Sequence, residues 1–323
     1  MIHKLLPLLF LTAALPVSHA QTAPAETKVM GWSKTGNLGA NLSFSSSEDV
    51  VGQTDGSSQT YGLNLKAGFN RLSEGDEWRN DFSLQESTTK TPSVPSYLKS
   101  GDELKIATTY LYFIPSKPQF GPYVKAEAAA PMFKGENVQA APVVYRVNRA
   151  NGTSSTVAGT SIRLTDGFKP LTTKESIGAF WKAVEQDNLK IEVRVGAAAL
   201  QIDADGQFTV GGKNAAGETE VNELRDVSQA GLETALGIKG KIDEKSNYEF
   251  GAETMTPFIN NKQSGDDREA FRLTNISAFA KLNSNITSWA SFGYNYKLKI
   301  EPQLVDRAQQ IHLLVLNVSY NLF

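Results

Sequence analysis

Apolar and polar residues alternate with period two along most of the chain, in stretches of about ten residues. Leu38, Ala40, Leu42 and Phe44 alternate with Asn37, Gly39, Asn41 and Ser43, and Tyr61, Leu63, Leu65, Ala67 and Phe69 alternate with Gly62, Asn64, Lys66, Gly68 and Asn70. The same rhythm runs through Leu189–Ala197, returns at Leu232–Ile238, and closes the chain at Leu314–Leu322. Each stretch predicts a strand with one greasy face and one wet face.

About twelve such segments are readable, near 35–46, 59–72, 77–88, 103–114, 120–130, 175–184, 189–202, 228–241, 246–256, 270–282, 287–298 and 309–323. The connections alternate in length. Short ones fall at 73–76, 115–119, 185–188, 243–245 and 283–285, and long ones at 47–58, 89–102, 131–174, 203–227, 257–269 and 299–308. A soluble β-sandwich has no physical reason to put every long connection at one end. A barrel crossing an outer membrane does, and ~9–11 tilted residues are enough to cross the hydrocarbon. Lipid offers no hydrogen-bond partner, so such a sheet must pair its first strand with its last. The expectation is an all-β, transmembrane, antiparallel up-and-down barrel of about twelve strands, running as one domain over 35–323.

The first twenty residues change the picture of where this happens. Lys4 precedes an apolar run from Leu5 to Val17, and Ser18-His19-Ala20 leaves small residues before a cut ahead of Gln21. This is the pattern of a cleaved export signal. Residues 21–34 read as a periplasmic lead-in, and the expected location is the outer membrane of a Gram-negative cell.

Aromatic residues gather near the strand ends. Phe69, Trp78, Tyr112, Phe113, Phe120, Tyr123, Phe180, Trp181, Tyr248, Trp289, Tyr320 and Phe323 lie beside short turns or the C-terminus, and Phe44, Tyr61, Phe133, Phe271, Tyr294 and Tyr296 toward the other rim. Two girdles at the headgroup levels are expected. The ending Asn317-Val318-Ser319-Tyr320-Asn321-Leu322-Phe323 resembles the C-terminal signal that outer-membrane barrels present to their assembly machinery, with Phe323 as its terminal aromatic, one residue out of step with Tyr320 and Leu322. Residues 31–38, Gly-Trp-Ser-Lys-Thr-Gly-Asn-Leu, and 101–112, Gly-Asp-Glu-Leu-Lys-Ile-Ala-Thr-Thr-Tyr-Leu-Tyr, resemble an uncharacterised family of Gram-negative outer-membrane barrels. That resemblance implies lipid and the assembly machinery as partners, and it brings no catalytic residues.

Chemistry adds little. The chain has no Cys, which removes thiolate metal sites and catalytic cysteines. After residue 20 the one histidine is His312, in the outward phase of the last strand, without an evident nucleophile or acid beside it. Asp203-Ala204-Asp205-Gly206 reads as a turn, because a calcium loop would need Gly at its sixth position and an acidic residue at its twelfth, where Asn214 stands. No phosphate-cradling loop and no basic-aromatic platform for nucleic acid is present. The reading is a non-enzyme with no cofactor and no metal.

The inward phase carries the information. Its basic residues are Lys66, Arg79, Lys105, Lys125, Lys182, Lys190, Arg194, Lys239, Lys241, Lys281 and Lys297, and its acidic ones Asp81, Glu127, Glu192, Glu233, Glu249 and Glu253. The formal charge of the chain is −2, yet this face is clearly positive. One reading is a water-filled passage for small hydrophilic, anionic solutes, with Lys66, Arg79, Asp81, Lys125, Glu127, Lys190, Glu192, Arg194, Glu233, Glu249 and Glu253 as candidate selectivity residues. The other is a salt-bridged, closed interior, in a structural barrel whose external loops bind a partner. Two long connections bear opposite charge. Arg146, Arg149 and Arg163 belong to the basic one (131–174), while Asp203, Asp205, Glu218, Glu220, Glu223 and Asp226 belong to the acidic one (203–227). They are expected to meet and gate the mouth, and Val143–Val147 with Ser161–Leu164 predicts a hairpin inside the first.

Overall fold

The structure, a computed structural model, describes residues 30–47, 56–91, 94–261, 266–287 and 289–321. The strands are β1 (Gly31–Ser47), β2 (Gly56–Leu72), β3 (Asp76–Thr91), β4 (Val94–Tyr112), β5 (Phe120–Ala130), β6 (Gly135–Asn148), β7 (Ser154–Thr165), β8 (Leu171–Glu185), β9 (Leu189–Asp203), β10 (Phe208–Lys213), β11 (Thr219–Glu223), β12 (Val227–Lys241), β13 (Ser246–Asn260), β14 (Asn275–Asn285), β15 (Ala290–Glu301) and β16 (Val305–Asn321). A single 3-10 turn at Ala270–Leu273 precedes β14. No helix among the described residues is long and apolar enough to cross a membrane.

Twelve strands form a closed barrel in the order β1-β16-β15-β14-β13-β12-β9-β8-β5-β4-β3-β2, all pairs antiparallel. The seam between β1 and β16 runs from Asn37 opposite Asn321 to Asn41 opposite Asn317. Closure leaves no open sheet edge, as a membrane-spanning sheet requires. The remaining four strands leave the barrel wall and pair with one another in the order β10-β11-β6-β7.

The register carries the alternation around the wall. Leu38 stands opposite Leu65, Leu65 opposite Leu84, and Leu84 opposite Leu104, so one row of the outer face is continuous leucine. Ile106, Val124, Ile177, Val195, Leu232, Leu314, Leu316 and Val318 are exposed on that face. Its polar interruptions satisfy each other. Trp78 Nε1 donates to Thr108 Oγ1 at 2.8 Å, that hydroxyl donates to Asn80 Oδ1 at 2.8 Å, and Asn80 Nδ2 donates to the Phe69 carbonyl at 2.8 Å. An amide facing lipid without such partners would cost several kcal/mol.

Three expectations are corrected. The stretches 89–102 and 299–308 are not long loops. β3 and β4 stay paired up to Thr91 opposite Val94, and β15 and β16 up to Glu301 opposite Val305. Beyond the lipid both faces of a strand are wet, so the strand continues where amphipathic alternation fades. Second, Phe113, Tyr123 and Phe180 are not girdle residues. With Leu111 they form a buried cluster inside the barrel near the short turns, because Tyr123 shares the inward phase of Lys125, and Phe180 that of Lys182. Trp32, Phe69, Trp78, Tyr112, Phe120, Trp181 and Trp289 are exposed at that end. Third, β8 begins at Leu171, which puts Lys174 in the barrel wall and not in a loop.

The short turns are held locally. Asp243 accepts hydrogen bonds from the Lys245 and Ser246 amides at 2.8 and 2.7 Å, which hold its carboxyl below its ordinary range. Ser73 Oγ accepts from the Asp76 amide at 3.0 Å. β1 begins at Gly31, within the stretch read as lead-in, and residues 1–20 lie outside the described residues.

Candidate functional site: the lumen and its cap

Pairing register places Lys66, Arg79, Asp81, Lys125, Glu127, Lys190, Glu192, Arg194, Glu233, Glu249 and Glu253 on the inward phase. The same phase holds further charged residues that the inward set read from the sequence lacks, among them Glu77, Glu103, Lys174, Glu185 and Lys299. Glu77 shares the parity of Arg79, and Glu103 that of Lys105, so parity carried to the strand ends would have found them.

On one side the lumen is sealed by ion pairs that cross between strands. Lys174 on β8 contacts Glu233 on β12 at 2.5 Å and also pairs with Glu253 on β13. Tyr123 OH donates to Glu233 Oε1 at 3.2 Å. Lys125 lies 2.7 Å from Glu127 and 3.4 Å from Glu253, and Lys105 lies 3.2 Å from Glu127. Toward the short turns Lys182 meets Glu77 at 2.7 Å, Arg79 meets Glu77 at 2.7 Å and Glu192 at 2.9 Å, and Arg194 meets Glu192 at 3.6 Å. Arg194 also faces the Tyr123 ring at 5.6 Å, and Lys182 the Phe113 ring at 4.6 Å. Glu233 is 0% exposed, Lys174 7% and Lys182 8%, so these charges depend on each other for solvation.

The opposite wall, β1, β2 and β3 beyond Arg79 with β14–β16, is built differently, Glu77 and Arg79 at the short-turn end of β3 belonging to the sealed cluster. The inward residues of this wall include Asn37, Asn41, Asn64, Ser83, Gln85 and Asn295, all partly accessible, with Lys66, Asp81 and Ser277 exposed, and the register also turns Phe279 and Ile311 inward, each opposite Lys297. Gly39 stands opposite Asn64, and Gly62 opposite Asn41. A Cβ on Gly39 would meet Asn64 Oδ1 at 2.7 Å, and one on Gly62 would meet Asn41 Oδ1 at 2.1 Å. Each asparagine therefore lies flat over a glycine and does not project into the lumen. One pair crosses here, Lys297 to Glu103 at 2.6 Å, both 43% exposed. Lys281 and Lys239 share Glu249 at 3.2 and 3.1 Å.

At the end away from the short turns, the two oppositely charged connections meet. The β6–β7 hairpin and the β10–β11 hairpin join through parallel pairing of β11 with β6, Thr219–Asn222 against Tyr145–Asn148. Tyr145, Val147 and Val221 form the buried core of this small sheet, packed by Val143, Ile162, Leu164 and Phe208. Arg146 lies 3.7 Å from Glu218 across the two connections, and Arg149 stacks on the Phe208 ring at 6.0 Å. Arg163 pairs within its own connection, with Asp166. Hydrogen bonds from Arg163 and Gln207 hold the Asp166 carboxyl below its ordinary range. The cap is tied to the barrel by Asp102, which accepts from the Met132 and Phe133 amides at 2.7 and 2.9 Å, and by Lys169 to Asp203 at 2.8 Å. Beneath it, Ala198, Leu200, Ile202, Ala204, Leu224, Val227 and Met255 form an apolar cluster joined by Leu304 from the β15–β16 turn.

His312 stands opposite Tyr296 in the β15–β16 ladder. Gly206, with φ of 72°, turns the Asp203–Gly206 segment, and the Ala204 and Asp205 amides donate to Asp226 at 2.8 and 2.9 Å. Among the described residues no group of three or more His, Cys, Asp or Glu could hold a metal ion. Phe323 lies outside the described residues.

No family model matches the chain, and no curated protein matches it. Among solved structures it is similar to the translocator domain of the autotransporter NalP from Neisseria meningitidis, at 11% identity over 91% of this chain and 90% of that one, TM-score 0.37. It is also similar to an outer-membrane channel from Pseudomonas putida F1, at 11% identity over 94% and 98%, TM-score 0.38. A third likeness is to the NanC porin, at 10% identity over 89% and 97%, TM-score 0.36. The barrel itself is read from strand pairing.

Proposed function

We propose that the chain is an outer-membrane barrel forming a narrow, passive passage for small hydrophilic solutes. One observation carries this reading: the lumen is asymmetric. The β5, β8, β9, β12 side is filled by paired charges and buried rings, while the β1–β3 and β14–β16 side carries asparagine, serine and glycine, together with Phe279 and Ile311, around exposed Lys66 and Asp81. An apolar outer face with exposed aromatic rings at the short-turn end supports residence in lipid. The cap then stands at the outer mouth, where Arg146 and Arg149 narrow the entrance by holding the two hairpins together and Arg163 braces its own connection through Asp166.

Reconstitution of the purified chain into planar bilayers tests the reading. Stepwise currents are expected, and their size should fall when Gly62→Phe places a ring on the open wall. A silent protein would support a second reading, a closed scaffold whose cap binds a partner. That alternative draws on the apolar cluster of Leu200, Ile202, Met255 and Leu304 under the cap.

A further inference from the structure

We propose that the open wall holds a site for an anionic group, a carboxylate or phosphate carried by the solute, at Lys66, Lys281 and Lys297. The inference rests on the passage reading above and names the charge of what passes. The three lysines come from β2, β14 and β15 on the inward phase; Lys281 stands opposite Asn295, two residues before Lys297 on that face, with its ammonium 4.5 Å over the Phe279 ring, and Lys66 lies within electrostatic reach of both and of Glu249.

Counter-charge is short at this place. Glu249 is divided between Lys281 and Lys239, and Glu103 is the partner of Lys297, while Lys105 and Lys299 are held by Glu127 and Glu301 at 3.2 and 2.9 Å. Lys66 makes no ion pair among the described residues. The sealed side has the opposite balance: Lys174 contacts both Glu233 and Glu253, and Lys182 both Glu77 and Glu185. Surplus ammonium groups in an accessible, low-dielectric tube repel one another, and an anion among them relieves that repulsion. Lysine suits transient holding, because its compact head with three rotatable donors takes an oxyanion in many orientations. The half-exposed Lys297–Glu103 pair can exchange its carboxylate for that of the solute, so the anion is held weakly enough to leave, as conduction requires.

The test uses the full chain in planar bilayers under a KCl gradient, with inorganic phosphate and malonate as probes. The unmodified protein is expected to prefer chloride over potassium, and millimolar phosphate or malonate to reduce the chloride current. In the triple variant Lys66→Gln, Lys281→Gln, Lys297→Gln the preference should vanish and half-block should need about tenfold more probe. The Arg triple at the same positions should keep both, and Lys213→Gln on the cap should change neither. Stronger block by phosphate than by malonate assigns a phosphorylated solute, and the reverse a carboxylated one. A conducting protein with cation preference, or a folded Gln triple with unchanged preference and block, would overturn the site and leave the passage standing. A protein that never conducts would overturn the passage and the site with it.

Discussion

The two sides of the lumen use the same alternating strands to opposite ends. Around β5, β8, β9 and β12 the inward residues include buried rings and long charged side chains between small ones such as Gly178, Gly196 and Ala235, and each buried cation finds carboxylates on other strands. Along β1–β3 and β14–β16 many are small and polar, with Asn41 and Asn64 laid flat over glycines, Phe279 and Ile311 among them, and lysines outnumbering their partners. Barrel closure alone therefore does not decide whether a lumen is filled. Side-chain size and the local ratio of carboxylate to ammonium decide it, wall by wall.

Breaking the sealed side should have the largest effect. Lys174→Ala leaves Glu233 buried without its cation, and a loss of about 3–5 kcal/mol is expected, read as a lower unfolding midpoint in detergent. Replacing Lys174 by Met together with Glu233 by Leu removes both charges and should cost less than the single change. Next comes backbone approach: a Cβ on Gly178 would meet the Val195 carbonyl at 2.1 Å and Gly196 Cα at 2.4 Å. Gly178→Ala should lower stability by about 1–3 kcal/mol while leaving conductance unchanged. Gly62→Phe should do the reverse, cutting single-channel current on the open wall more than it lowers stability.

Smaller effects belong to the cap. Reversing the charge of Arg146, Arg149 and Arg163 together puts like charges against Glu218 and Asp166. Faster protease cleavage in 131–170 and a changed current are expected, and no change in either would remove the cap from the account. The smallest effect is with pH. The Asp166 carboxyl is held below its ordinary value of 3.8 by Arg163 and Gln207. Its contribution is therefore full above that value and is lost as pH falls through the lower folded-state value. Amide exchange around Asp166 and Gln207 should rise only under strongly acidic conditions.

Much of this was legible in the residues. Period-two alternation gives the twelve barrel strands and the inward phase of Lys66, Arg79, Glu127 and Glu253, because successive side chains must point to opposite faces. Strand ends were not legible where β3 and β4 leave the lipid, since Ser87, Thr88 and Thr89 meet water on both faces. Tyr123 and Phe180 were misplaced because a ring beside a short turn suits a girdle by position alone, and only its parity with Lys125 or Lys182 reveals the interior. The Lys297–Glu103 and Lys174–Glu253 pairings could not be read at all. They join residues far apart in sequence, and the curvature of the closed wall brings Lys297 to Glu103 across the lumen and Lys174 to Glu253 over the two intervening strands β9 and β12.

Because the chain contains no cysteine, single thiols report accessibility without background. Ser83 lies on the open wall between Lys66 and Lys105, and Ser176, 5% exposed, on the sealed wall between Lys125 and Ala198. With a water-soluble, membrane-impermeant methanethiosulfonate added to the reconstituted barrel, Ser83→Cys should react and reduce the current, and Ser176→Cys should stay unlabelled. Equal labelling of the two positions, or faster labelling at 176, would contradict the division of the lumen into an open and a sealed wall.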